Sequence, residues 1–208
     1  MRWMGMVCHL SWACTVIAVA VCHQAAEAAV IIEVDMDRDL AGIQDTISAT
    51  AGVTVKAAIV LTTDADGVSL YGISANFDTS ELIAPVVATE LLPAGFDSNS
   101  SMGVGSVDTI LGHIRNIEAE ALAAGGPTSA TFEIAHLDFT VAAGGGIDDG
   151  LADIELGEFS GADGTGDNNF AQVIPSVKNG FLIPEPSTLF GLIASGVLVM
   201  SRRCRRRA

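Results

Sequence analysis

Apolar and polar positions alternate in short segments through the middle of the chain, and turn residues separate these segments. Residues 54–61 are β-branched and apolar, and the turn sequence Asp64-Ala65-Asp66-Gly67 follows them closely. Residues 68–77 then alternate with a period of two, which predicts a half-buried strand. The face predicted to lie in the core consists of Tyr71, Ile73, Ala75 and Phe77.

Further strands are predicted at residues 130–141 and 151–159, with glycine-rich turns at 144–146 and 148–150 between them. Residues 108–124 fit two patterns, because their apolar positions have both helical spacing and local alternation. The β-rich neighbours favour a strand there. The expected fold is all-β, an antiparallel β-sandwich.

The N-terminal 28 residues have the composition of a cleavable secretion signal. Arg2 precedes an apolar run from Leu10 to Val21, and Ala26 and Ala28 occupy the two positions that signal peptidase reads. A retained N-terminal anchor is the alternative. A lipoprotein signal fits less well, since Val21 stands before Cys22 where a small residue is needed.

The C-terminal end combines three parts: Pro184-Glu185-Pro186, an uncharged apolar run from 189 to 201, and a basic cluster. The cluster consists of Arg202, Arg203, Arg205, Arg206 and Arg207. This end resembles the PEP-CTERM sorting signal, which implies that an exosortase recognises Pro184, Glu185 and Pro186. The arginines would stop transfer at the inner membrane by the positive-inside bias. An ordinary single-pass anchor is the alternative, although 13 residues span only about 20 Å as a helix, less than the roughly 30 Å hydrocarbon core.

Between the two ends the chain is strongly acidic and free of cysteine. Residues 29–183 hold 4 basic and 23 acidic residues, a formal charge of −19, which disfavours nucleic acid as a partner. The four cysteines lie at 8, 14, 22 and 204, so this segment has neither a disulfide framework nor a thiolate site.

A second resemblance covers residues 53–170. The run 53–61, a glycine-containing turn, the phrase 70–82 ending in Phe77-Asp78-Thr79-Ser80-Glu81-Leu82, and the run 137–141 resemble cohesin-type domains. The resemblance implies a jelly-roll sandwich related to carbohydrate-binding modules, with a dockerin or a polysaccharide as the family's partner. The predicted organisation is a signal peptide at 1–28, a cohesin-like domain at 29–178, and a sorting signal with a transmembrane helix at 179–208.

Catalytic chemistry is not expected. Residues 29–183 contain two histidines, His113 and His136, neither with a second ligand at helical or strand spacing, and no nucleophile elbow, zincin or phosphate-loop motif. No cofactor is predicted, because a solvated acidic loop is the favoured interpretation of residues 163–169. A structural calcium ion held by Asp163, Asp167 and Asn169 is the alternative. A weaker calcium candidate is Asp35-Met36-Asp37-Arg38-Asp39, and both phrases lack the later residues of an EF-hand loop.

These features predict a non-enzymatic protein that passes the inner membrane, is anchored transiently by its C-terminal helix, and reaches the cell surface or extracellular matrix. Its sandwich would act as a structural or adhesive module. The alternative role is binding of an envelope polysaccharide or a matrix protein.

Overall fold

A computed structural model describes residues 30–98, 107–121, 125–143, 149–160 and 163–185 of the chain. These residues form strands and turns, and none of them lies in a helix. Among them, no helix is present that is long and apolar enough to cross a membrane. The strands are β1 (Ile31–Asp35), β2 (Thr46–Ala49), β3 (Thr54–Thr62), β4 (Val68–Phe77), β5 (Leu82–Glu90), β6 (Val107–Asp108), β7 (His113–Glu120), β8 (Thr131–Val141), β9 (Ile154–Gly157), β10 (Gly164–Asp167), β11 (Gln172–Val173), β12 (Ser176–Lys178) and β13 (Phe181–Pro184).

Two sheets make the sandwich. The first has the order β12-β1-β3-β8-β5, and the second has the order β11-β10-β4-β7-β6 with β9 paired to the far half of β4. Alternate side chains from both sheets fill one apolar core, which includes Ile32, Ile59, Ile117 and Phe139. Burial of these side chains supplies the main driving force for the fold.

The predicted strands are confirmed. Residues 54–61 lie in β3 and residues 68–77 are β4, while the other two predictions contain β8 and β9. The side chains assigned to the core face of β4 are all at most 5% exposed. The ambiguous stretch 108–124 contains β7, because Ile114, Ile117 and Ala119 supply the inward face of a strand in the sheet.

The sandwich differs from the prediction in not being wholly antiparallel. Strand β12 runs parallel to β1, and β13 runs parallel to β2 in a separate two-stranded sheet. Both parallel pairs arise because the C-terminal segment returns alongside strands from the beginning of the domain. The fold therefore continues beyond residue 178, into the segment where the sorting signal was expected to begin. The predicted signal helix and transmembrane helix lie outside the described residues.

Candidate functional site

The beginning of the predicted sorting signal is a strand of the folded domain. In β13, residues 181–184 pair in register with 46–49 of β2. The Phe181 amide donates to the carbonyl oxygen of Asp45 at 2.8 Å, and the Glu185 amide donates to that of Ala49 at 3.1 Å. Leu182 is 2% exposed and belongs to the core cluster, whereas Ile183 points outward. Two of the three Pro-Glu-Pro residues, Pro184 and Glu185, thus lie against the sandwich.

Hydrogen bonds and an ion pair also hold the residues just before this strand against the sandwich. The Gly180 carbonyl oxygen accepts hydrogen bonds from the amides of Asp153 (3.0 Å) and Ile154 (3.1 Å), and its amide donates to the Ile154 carbonyl. A Cβ atom at Gly180 would lie 2.7 Å from Val34 Cγ1, so the backbone passes directly over the core. Lys178 Nζ also pairs with Glu33 Oε2 at 2.8 Å.

A buried carboxylate anchors the amide of Leu182. Asp153 Oδ2 accepts a hydrogen bond from the Leu182 amide at 2.6 Å, and Asp153 is 4% exposed. A charge-assisted bond of this kind is among the stronger backbone contacts. It ties β13 to the loop that leads into β9.

Asp153 lies against a second buried carboxyl group, that of Glu81. Burial raises the pKa of Glu81 to about 8, and the neighbouring Asp153 carboxyl and the negative charges of Asp78 and Asp149 add to the effect. Burial also raises the pKa of Asp153. Glu81 Oε1 has no hydrogen-bond donor among the described residues. With its pKa raised to about 8, Glu81 keeps its proton near neutral pH, which avoids two adjacent buried charges.

Of the predicted sorting residues, Pro184 ends β13 and Glu185 follows it with an exposed side chain. Pro186 lies outside the described residues, as do Ala26 and Ala28 of the signal peptidase site. The basic cluster Arg202, Arg203, Arg205, Arg206 and Arg207 also lies outside them.

The predicted calcium ligands make turn and loop contacts. Asp163 accepts hydrogen bonds from Ser74 Oγ (2.9 Å) and the Ser160 amide (2.7 Å). Asp167 Oδ1 accepts from the amides of Asn169 (2.8 Å) and Ala171 (2.9 Å), bonds that hold its pKa below the ordinary value. Through the described parts of the chain, no three His, Cys, Asp or Glu side chains are placed together to hold a metal ion. The calcium site remains a prediction.

Acidic residues of the weaker calcium candidate, 35–39, also make hydrogen bonds and an ion pair. Asp35 Oδ1 accepts from the amides of Asp37 and Gln44, both at 3.1 Å. Asp39 pairs with Lys56 at 2.7 Å, and that hydrogen bond lowers the pKa of Asp39.

The two histidines lie on different sheets. His136 in β8 contacts Glu133 at 2.7 Å, and His113 begins β7 opposite Asp108. Tyr71 is fully buried and packs edge-on against Phe96, with ring centroids 5.1 Å apart. The single tyrosine of the chain is thus not available on the surface to stack against a sugar ring.

Exposed apolar side chains gather at the end of the second sheet where β4 finishes. Ile110 and Leu111 of the β6–β7 turn are 86% and 63% exposed, and Leu151, before β9, is 70% exposed. These turns lie at the same end because the Phe77 amide bonds to the Gly112 carbonyl and the Asp78 amide to the Asp153 carbonyl. We call Ile110, Leu111 and Leu151 the tip patch.

Aspartates hold the backbone of the tip patch in place. Asp108 Oδ1 accepts from the amides of Ile110 and Leu111, each at 2.9 Å, and these bonds lower its pKa. Asp149 Oδ1 accepts from the Leu151 amide at 2.8 Å. The hydrogen bonds therefore hold the backbone of these exposed apolar residues beside negative charges.

Sequence reasoning missed the carboxyl pair and the tip patch. Glu81 stands directly before the buried Leu82 and Asp153 directly before the buried Ile154, which are weak signals of burial. Exposure of the tip patch follows from turn geometry, and hydrophobicity alone did not indicate it.

Comparison with known proteins identifies the C-terminal motif and the fold of the middle of the chain. Residues 182–207 match the PEP-CTERM protein-sorting motif. None of the curated proteins matches the sequence.

Three solved structures share the fold of the middle of the chain. One is the sixth cohesin from scaffoldin B of Acetivibrio cellulolyticus in complex with a mutant Cel5 dockerin (TM-score 0.51, 18% identity, covering 76% of this chain and 99% of that chain). Another is CaCohA2 from Clostridium acetobutylicum in solution (TM-score 0.50, 17% identity, covering 76% of this chain and 94% of that chain). The third is a CaDoc0917–CaCohA2 complex (TM-score 0.50, 18% identity, covering 75% of this chain and 99% of that chain). The chain therefore carries a PEP-CTERM sorting motif behind a sandwich with a cohesin-like fold.

Proposed function

We propose that this chain is exported, is processed by an exosortase near Pro184-Glu185-Pro186, and is delivered to the cell surface or extracellular matrix. The observation that carries the proposal is the sorting motif at 182–207, which continues directly from a folded, acidic sandwich. The sandwich is the cargo, and the arginine-rich tail holds it at the inner membrane until the cut.

The proposed role of the sandwich is structural or adhesive and not catalytic. Its two histidines lie on separate sheets, and the sequence from 29 to 183 lacks the common catalytic motifs. Two of the structural neighbours are complexes, one of them with a dockerin. By analogy of fold, this sandwich would bind a protein at the envelope.

The tip patch is the proposed contact surface for that protein. Three exposed apolar side chains beside Asp78, Asp108 and Asp149 suit a partner with apolar and basic side chains. A polysaccharide is the less favoured partner, because the domain has no tryptophan and its tyrosine is buried.

Retention of the mature protein in its host's matrix tests the adhesive role. Changing Ile110, Leu111 and Leu151 to Ser should weaken retention by about tenfold, equivalent to about 1.4 kcal/mol. Ile174→Ser is the matched control, since Ile174 is 88% exposed and follows β11, which pairs with β10 on the far side from β6 and β7. Equal retention of both variants would contradict the tip patch, and binding to a glycan array would favour the polysaccharide instead.

A further inference from the structure

We propose that β13 is an intramolecular restraint on processing: it must detach from β2 and from Asp153 before the sorting protease can cleave the chain. This inference rests on the proposed function, since it concerns the rate at which that same motif is cut. It makes the end of the folded domain a determinant of when the protein leaves the membrane.

The hydrogen bonding of β13 is the first argument. The amides at both ends of the strand already donate hydrogen bonds. The Phe181 amide donates to the carbonyl oxygen of Asp45, and the Glu185 amide donates to that of Ala49. A protease that binds its substrate as an extended peptide needs such backbone groups and the adjoining side chains. Cleavage within folded segments generally waits for local opening.

The packing of Leu182 is the second argument. Its side chain is 2% exposed within the core cluster, although it is the first residue of the matched sorting motif. A peptide-binding groove cannot contact this side chain while it remains in the core. Recognition of the complete motif therefore requires the strand to leave the sandwich.

Asp153 provides the third argument, because it fastens the strand at one point. The 2.6 Å bond from the Leu182 amide ends on a carboxylate that is itself buried beside Glu81. Opening of β13 breaks this charge-assisted bond, which adds to the cost of detachment. The hydrogen bonds at Gly180 hold the same segment from the preceding side.

The processing step itself is conventional. One backbone C–N bond near the motif breaks, and the acyl group passes to water or to an acceptor amine while the tail leaves with a new amino terminus. The restraint changes only how often the peptide is available, so it acts on the rate and leaves the cleavage position unchanged.

An engineered disulfide tests the restraint. Ser48 and Ile183 are register partners with exposed side chains, and residues 29–183 contain no cysteine of their own. The full chain with Ser48→Cys and Ile183→Cys, expressed in its host, should form the crosslink in the oxidising compartment. Because the crosslink prevents β13 from separating from β2, we expect processing to fall by at least about tenfold and to recover after reduction. The single variants Ser48→Cys and Ile183→Cys are the matched controls and should be cut at the wild-type rate.

The outcomes separate this inference from the proposed function. A crosslinked chain that is cut at the wild-type rate would overturn the restraint while leaving exosortase processing intact. A wild-type chain that is never cut, whether or not the protease is present, would contradict the proposed function and the restraint with it.

A second measurement examines the anchor without the protease. Hydrogen exchange of the Leu182 amide in the full chain, purified in detergent, should accelerate by about tenfold in Asp153→Ala. Asp153→Asn retains a side-chain oxygen that can accept the bond and should restore slow exchange. Unchanged exchange in folded Asp153→Ala would overturn the role of Asp153, and the cysteine pair still tests the strand if that variant does not fold.

Discussion

The buried pair of Glu81 and Asp153 should make the domain less stable as the pH rises from the ordinary pKa of Glu81, 4.5, to its folded-state value of about 8. The folded-state pKa of Glu81, about 8, is above its ordinary value of 4.5. A carboxyl group with a raised folded-state pKa favours folding while it is protonated, and this contribution is lost as the pH rises through the folded value. The change Glu81→Gln replaces the group with a neutral side chain of similar size and should remove the effect.

The magnitude follows from the same pKa values. A change from 4.5 to about 8 corresponds to a limit of about 5 kcal/mol, reached only when Glu81 is ionised in both states. Between pH 6 and pH 9 the linkage relation gives a loss of about 2 to 3 kcal/mol for a single proton. The urea midpoint should fall by about 1 M over that interval, given an ordinary dependence on denaturant.

Urea unfolding followed by far-ultraviolet circular dichroism is the suitable assay, because both tryptophans lie in the predicted signal segment. Wild type should lose stability from pH 6 to pH 9, and Glu81→Gln should have a nearly constant midpoint. Asp66→Asn makes the same charge change at an exposed position and should behave as wild type. A wild-type midpoint that holds steady or rises across this range would refute the reasoning.

Two further predictions concern the turns. Gly112→Ala should destabilise the domain by about 2 to 4 kcal/mol, because φ is +68° and the new Cβ would overlap the Phe77 carbonyl oxygen. Gly52→Ala, at φ +81° in open space, should cost only about 1 kcal/mol, and equal losses in thermal melts of the two variants would contradict this account. Calcium, if Asp163, Asp167 and Asn169 bind it, should raise the melting temperature of wild type and not of Asp163→Asn; an unchanged wild-type melting temperature would exclude the site.

The sequence predicted best those strands in which alternation and β-branching coincide. In β4, the period of two identified both the strand and its buried face, and the adjacent turn Asp64–Gly67 marked its beginning. In β10, the sequence Gly164-Thr165-Gly166-Asp167 has no such pattern. It is a strand because its backbone pairs with β4, a long-range effect that no local signal encodes.

The C-terminal segment shows a different limit. Residues 179–185 are predicted to belong to the sorting signal because they run into the Pro-Glu-Pro motif, whereas Leu182 is part of the core. Motif resemblance identifies what a protease reads and gives no information on whether those residues are also packed. The carboxyl pair could not be predicted from local sequence either, because Glu81 and Asp153 lie in separate loops that come together only in the folded domain.

The intact mass of the mature protein, recovered from its host with and without the exosortase, tests the central claim most directly. We predict a product that ends near Pro184-Glu185-Pro186 and lacks Arg202 to Arg207 when the protease is present, and an uncut, membrane-held chain when it is absent. A mature surface protein that still contains the arginine cluster in the presence of the protease would contradict the account.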